Sequence, residues 1–148
     1  MDKSIKVFAD NKRARFDYDI KENFSAGLVL SGAEVKSVKG GNVSLAGSYV
    51  TVSPGRASLI NCHIGPYKYA PNEKYQPTQT RQLLLKKEEI HKLLGKEKGL
   101  VIIPLDIFLG NRGLVKIRIG LGKARKKADK REYIKKRESD KEIRRSLG

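Results

Sequence analysis

The chain has no tryptophan, one cysteine, two histidines and no long hydrophobic run. Each shortage excludes a class of protein. Cys62 alone cannot build a disulfide framework or a cysteine zinc site within one chain, and a reducing, cytoplasmic setting is the expectation. His63 and His91 fall in no HxH or HExxH spacing, whereas a metal centre gathers three or four ligands. No stretch approaches the roughly 18 apolar residues of a membrane span, and MDKSIKVFADNKRA lacks the apolar core of a signal peptide. Glycine-rich phosphate loops of the GxxxxGK[ST] or GxGxxG kind are also missing. The paired acids Glu88 and Glu89 open a helix, where they complement its dipole. An enzyme, a cofactor and a metal are therefore not expected.

What the chain has is positive charge. Its 148 residues suit one core, and 32 Lys and Arg against 16 Asp and Glu leave a net charge of +16. Self-repulsion of that size points to a polyanionic partner. The charge is densest at the end: residues 123–148 hold twelve basic against five acidic residues, the preceding 122 twenty against eleven. Two parts follow, a body over 1–122 and a basic tail over 123–148.

The body patterns mainly as strands. RFDYDI (15–20) alternates, with Phe16, Tyr18 and Ile20 on one face. AGLVLSG (26–32) is a short apolar run bounded by glycine. EVKSVKGG (34–41) is ambiguous by pattern; Val35 and Val38, three apart, fit one helical turn that Gly40-Gly41 would stop. Residues 48–65 read as a hairpin turning at Ser53-Pro54-Gly55-Arg56. Residues 66–80 hold three prolines and three tyrosines without periodicity and read as an aromatic, basic loop. Ile90, Leu93 and Leu94 sit at helical spacing before Gly95, which predicts a helix over 86–94. Residues 99–122 form a second hairpin turning at 110–113. There Pro104 demands an edge or a bend, and Val115, Ile117, Ile119 and Leu121 face inward, with Lys116 and Arg118 outward. About six short strands and one or two helices predict a small OB-like β-barrel, closed or partly open. An SH3-like barrel or a sandwich satisfies the same pattern. The tail carries no continuous apolar stripe. Ile143 and Leu147 are four apart, and Glu132/Lys136 and Asp140/Arg144 are i,i+4 acid–base pairs, which give it a helical leaning only. Alone it is expected to be disordered, and helical once a polyanion neutralises it.

The residues that favour binding are basic and aromatic. Lys116 and Arg118 project from one strand face at a spacing that suits adjacent phosphates. Lys36 and Lys39 lie together, and Asn11-Lys12-Arg13 opens the body. Tyr67, Tyr69 and Tyr75 offer rings to unpaired bases. Glu34, alone among cations, either pairs with Lys36 or Lys39, or orients a basic residue or accepts from a base or a 2′-OH. A ribosomal or ribosome-assembly protein with an OB-like body and a generic basic arm is one candidate. A small RNase is another, without support from the spacing of its histidines.

NKRARFDYDI (11–20), AGLVLSGAEVKSVKGG (26–41), SYV (48–50), TRQLLL (80–85), VKIRIGLGK (115–123) and DKR (129–131) occur in that order and spacing. Together they resemble the small protein B family, the SsrA-binding proteins of bacterial trans-translation, over almost the whole chain. The resemblance implies an OB-type barrel without catalytic activity that holds the tRNA-like domain of transfer-messenger RNA. It implies entry into ribosomes stalled on mRNA lacking a stop codon, where the protein replaces codon–anticodon pairing in the decoding centre. The resemblance further implies that the tail becomes a helix in the vacated mRNA channel and that elongation factor Tu with GTP delivers the charged RNA. Carried over by position, the RNA face comprises Asn11, Lys12, Glu34, Lys36, Ser37, Leu84 and Lys116. The tail contacts comprise Lys123, Lys126, Lys127, Asp129, Lys130 and Arg131. Departures from the family pattern are Ser25 for a Glu, Gln79 and Gln82 for basic residues, and Ala128 for a ring, where either Tyr133, one helical turn away, or nothing stands in.

Overall fold

The computed structural model describes residues 5–70 and 72–147, with side chains to residue 140. The expected pairs Asp140/Arg144 and Ile143/Leu147 therefore lie outside the described residues.

In chain order the elements are β1 (Val7–Asp10), α1 (Ala14–Asp17), β2 (Tyr18–Leu28), α2 (Gly32–Lys39), β3 (Val43–Ser44), β4 (Tyr49–Ser53) and β5 (Arg56–Ile60). They continue with β6 (His63–Ile64), β7 (Arg81–Leu84), α3 (Lys87–Leu94), β8 (Leu100–Leu109), β9 (Val115–Ala124) and α4 (Lys127–Leu147). Seven strands form one antiparallel sheet in the order β1-β8-β9-β2-β7-β5-β4, and β3 pairs with β6 beside it. The sheet curls until β4 packs against β8, where Val50, Val52, Val101 and Ile102 line a cleft of about 290 Å³ with Leu93 of α3. No ladder joins β4 to β8 among the described residues.

Inside the curl lie Phe24, Ala26 and Leu28 of β2, Leu59, Leu83, Ile107 and the β9 series Val115, Ile117, Ile119 and Leu121. The alternation read in β9 holds: its apolar residues are buried and Lys116 and Arg118 are half-exposed. Both expected hairpins form, as β4–β5 closing Ser53 on Arg56 and as β8–β9 closing Leu109 on Val115. The helix expected over 86–94 runs from Lys87 to Leu94 and ends on Gly95.

One local expectation shifts and two open readings resolve. The strand read from Arg15 begins at Tyr18, because residues 14–17 make one helical turn first. Ala14 packs there on Ile103 and Leu105, and the amides of Phe16 and Asp17 donate to the Arg13 carbonyl. Residues 34–41, ambiguous by pattern, belong to α2, which starts earlier at Gly32 under a Ser31–Glu34 capping box. Pro104 is not on an edge strand, since β8 lies between β1 and β9. The ladder to β9 shifts register between Pro104 and Asp106, and the pairing with β1 stops at Asp106, so the missing amide falls at a bend.

Ile117 is fully buried at the middle of this core. Ile117→Ala is expected to cost about 2–5 kcal/mol, seen as a lower urea midpoint with an unchanged m-value.

Candidate nucleic-acid interface

Register places the first group. Leu84 of β7 pairs with Gly27 of β2, and Gly27 pairs with Lys116 of β9. Directly opposed residues share a sheet face, so the outer face carries a row of Leu84, bare backbone and Lys116. The pattern of apolar residues treats Leu84 as core, but it is 57% exposed. A Cβ on Gly27 would lie 3.2 Å from the Leu84 Cβ, so the glycine keeps a shallow floor between the two side chains. The Lys116 stem runs over Gly110, where an added Cβ would meet its Cδ at 2.5 Å.

One step along the same face, Ser25 pairs with Arg118. The Arg118 guanidinium lies 5.1 Å from the Phe108 ring centre and 3.6 Å from Asp106 Oδ2. Burial pushes the Asp106 carboxyl above its usual range, against the pull of Arg118, and the nearby Asp10 adds to the rise. Its Oδ1 has no hydrogen-bond partner among the described residues. Arg118 is thus partly committed within the protein, whereas Lys116 has no carboxylate within ion-pair distance among the described residues.

Helix α2 borders this face. Gly113, in the β8–β9 turn, has Lys39 Nζ 3.6 Å from where its Cβ would stand. One turn earlier Lys36 Nζ sits 5.7 Å from the Tyr67 ring centre. Ser37, on the same helix, is only 4% exposed, so its place in the expected RNA face is not a surface one. Asn11 and Lys12 stand at the end of β1. The Asn11 side-chain amide donates to Pro104 O at 2.9 Å, and Lys12 is exposed. Pro104 lies four residues along β8 from Phe108, the partner of Lys116, or about 13 Å.

Glu34 corrects the expected pairing with Lys36 or Lys39. It is 3% exposed, and its ion pair is with Arg81, 2% exposed, at 2.6 Å. Glu34 Oε2 accepts from Arg81 Nε and Nη2, from the Tyr75 hydroxyl at 3.0 Å and from Gln79 Nε2 at 3.1 Å. Its Oε1 accepts the Ser31 amide at 3.1 Å. Arg81 Nη1 reaches back to the Cys62 carbonyl. Burial alone raises the Glu34 carboxyl, but the bonds from Ser31, Arg81 and Gln79 outweigh it and hold it below the usual range. Burial and the same carboxylate push the Tyr75 phenol up to about 12, and burial pushes the Cys62 thiol up to about 11. Both oxygens of Glu34 are therefore occupied from within, and it acts on the surface through the segments it ties. Nothing in the sequence pattern of TRQLLL marks Arg81 as a buried partner. The one signal was a solitary acid within a basic neighbourhood.

The tail leaves from the other end of β9. That strand continues to Ala124, two residues beyond Gly122, with Lys123 opposite Asp19. The Arg125 amide then donates to Asp17 O at 2.8 Å, and its guanidinium covers the Tyr133 ring at 4.6 Å. Lys130 Nζ lies 3.4 Å from Asp17 Oδ1 and 5.6 Å from the Phe16 ring centre. Asp129 Oδ2 accepts the Lys126 amide at 3.4 Å. Lys126, Lys127 and Arg131 are exposed, as is Ala128. The expected Glu132/Lys136 ion pair is not formed among the described residues. Tyr133 is occupied by Arg125 in this arrangement.

Glu34→Gln is expected to lower stability at pH 7 by about 3–5 kcal/mol, since it strips a buried arginine of its counter-charge. Because the folded-state value lies below the ordinary 4.5, the stabilisation by Glu34 is present above that value and lost as pH falls through the folded one. Urea midpoints of the two proteins should therefore converge in acid; parallel curves down to pH 3 would contradict the assignment.

Comparisons with known proteins place the chain in a family. A family model described as SmpB protein matches residues 8–148. A protein named SsrA-binding protein from Geobacillus thermodenitrificans (strain NG80-2) is 45% identical over 144 residues, covering 96% of this chain and 92% of its own. One of the same name from Coprothermobacter proteolyticus is 48% identical, covering 95% and 96%. Among solved structures, a chain described under "tmRNA-SmpB: a journey to the center of the bacterial ribosome" is 38% identical with a TM-score of 0.65. That alignment covers 84% of this chain and 92% of the other. With nearly the whole chain matched, from the first strand through the basic tail, the protein belongs to the SmpB family.

Proposed function

We propose that this protein binds the tRNA-like domain of transfer-messenger RNA and accompanies it to ribosomes stalled on non-stop mRNA. The observation that carries the proposal is a family match running without a break through body and tail, over residues 8–148. In this scheme the curled sheet works as an OB-like barrel whose outer face, with Lys116, Leu84 and the α2 lysines, receives the RNA. Asn11 and Lys12 extend the contact along β8, and Arg118 joins it once freed from Asp106. Glu34 and Ser37 support the face from beneath.

The tail contributes to the other partner. Lys123, Lys126, Lys127, Asp129, Lys130, Arg131 and Tyr133 meet the decoding centre and the mRNA channel of the small subunit, and replace the missing codon–anticodon pairing. A helix of 21 residues without an apolar stripe has little to hold it together in water, so the proposal has it ordering on the ribosome. Elongation factor Tu with GTP is met through the RNA, not through a surface of this chain. All of this is placed in the cytoplasm; among the described residues no helix is long and apolar enough to cross a membrane.

The two parts separate experimentally. Removing residues 127–148, which spares the whole of β9, should leave the affinity for a tRNA-like RNA fragment and its salt slope unchanged while abolishing rescue of stalled ribosomes. With a generic basic arm, the same truncation would instead lower the salt slope by about 0.7–0.9 for each phosphate the arm had neutralised. Lys116→Ala should weaken binding of the fragment and lower the slope by the equivalent of one phosphate. Equal affinity of the intact protein for an unrelated hairpin of the same length would overturn the proposal.

A further inference from the structure

The body of the RNA surface leaves one group unused, the tyrosines of residues 66–80. The structure treats the three differently. Tyr75 is spent inside, with its hydroxyl among Glu34, Arg81 and the Ile64 carbonyl. Tyr69 is 71% exposed. Tyr67 is half-buried, as Tyr75 is, and meets Tyr69 edge-on, ring centres 5.3 Å apart at 71°.

We propose that Tyr69, backed by Tyr67, is a stacking site for one unpaired nucleobase of the bound RNA, with Lys68 and Lys36 receiving the flanking phosphates. The inference rests on the RNA-binding function proposed above and extends its contact surface onto a loop.

Four observations carry it. First, the loop presents the ring outward. The Ala70 amide donates to the Tyr67 carbonyl at 3.0 Å, which makes Lys68 and Tyr69 the two central residues of a tight turn, whose side chains project from the body. Second, cations flank both rings. Lys68 Nζ is 4.8 Å from the Tyr69 ring centre and Lys36 Nζ is 5.7 Å from that of Tyr67. An aromatic face with adjacent ammonium groups suits a nucleotide, because the base stacks while the phosphate takes the cation. Third, the platform is fixed before any ligand arrives. The Gly65 amide donates to Asn42 O, the Ile64 amide to Pro77 O, and Tyr75 and Gln79 are tied to Glu34. A Cβ on Gly65 would overlap the Asn42 side chain, so a larger residue there would have to displace it. Prior fixing removes an ordering cost from binding. Fourth, the site continues the basic track. From Lys116 the line passes Gly113 with Lys39, then Lys36 one helical turn away, and so reaches Tyr67.

A tyrosine ring reads no sequence, because every base has a π-face. The site therefore selects for an unpaired base at a set distance from a structured region, and not for a particular base. Lys68 is the group that must move, leaving the ring face it covers for a phosphate.

The test measures binding of the full chain to a tRNA-like RNA fragment and to the same fragment with abasic residues at its unpaired loop positions. Tyr69→Leu should weaken the intact fragment about 5- to 150-fold, the range for removing one stacked base. Tyr69→Phe should retain wild-type affinity. On the abasic fragment wild type and Tyr69→Leu should bind alike, while Lys116→Ala weakens both RNAs. If Lys116→Ala weakens the fragment and Tyr69→Leu does not, the stacking site is wrong and the wider function stands. An equal loss for Tyr69→Leu on both fragments would show an interaction that is not stacking and also overturn the site. If wild type does not prefer the tRNA-like fragment at all, the function itself fails first. The exposure of Tyr69 makes unfolding by these substitutions unexpected, and circular dichroism of each variant checks it.

Discussion

A single carboxylate oxygen, Oε2 of Glu34, accepts from four donors on three side chains. Through them it ties the first turn of α2 to the start of β7 and to the far end of loop 66–80. Arg81 adds the carbonyl of Cys62, beyond β5. Four separate pieces of chain thus meet at one buried charge pair. Such a pair adds little over a well-packed apolar alternative, and often less than nothing. What an apolar cluster could not do is fix four backbone segments at hydrogen-bond distances. The pair sets geometry, and the surface above it inherits that geometry.

That surface is made of unlike parts. On the sheet, spacing comes from the ladder, and glycine at position 27 separates a leucine from a lysine with bare backbone. On α2, spacing comes from one helical turn between Lys36 and Lys39. On the loop it comes from a tight turn anchored at both ends. Strand, helix and turn are each rigid on the scale of a nucleotide, so a flexible polyanion does the adjusting. This fits a body with a large net charge that keeps its folded shape, because the cations are held apart by the framework instead of being crowded on one element.

Much of this was legible in the sequence, for identifiable reasons. Period-two alternation in VKIRIGL fixed both the strand and the outward aspect of Lys116 and Arg118, and Pro54-Gly55 fixed a hairpin turn. The helix at 87–94 followed from Ile90, Leu93 and Gly95. Long-range partners were not legible. RFDYDI alternates as well as any strand, yet Ala14 is drawn into contact with Ile103 and Leu105, some ninety residues away, and residues 14–17 turn instead. Leu84 sits in an apolar run whose alternate members face outward, so composition alone hid its exposure. Glu34 looked like a partner for its neighbours Lys36 and Lys39, whereas its counter-charge lies 47 positions on. Sequence spacing reports neighbours along an element and says nothing of which distant strand end folds over them.

The junction at α1 has a consequence for reach. Helix α4 has 21 residues, about 31 Å of rod, and its described ties to the body all fall within its first two turns and the residues just before it, at Arg125, Lys130 and Tyr133. Mechanically this is a lever with its fulcrum on Asp17 and Phe16. A rotation of about 10° at that contact sweeps the far end by about 5 Å, nearly one helical pitch. An exposed ion pair of this kind holds with about 1 kcal/mol or less. The angular stiffness of one short helical turn thus governs where the far end of the helix points.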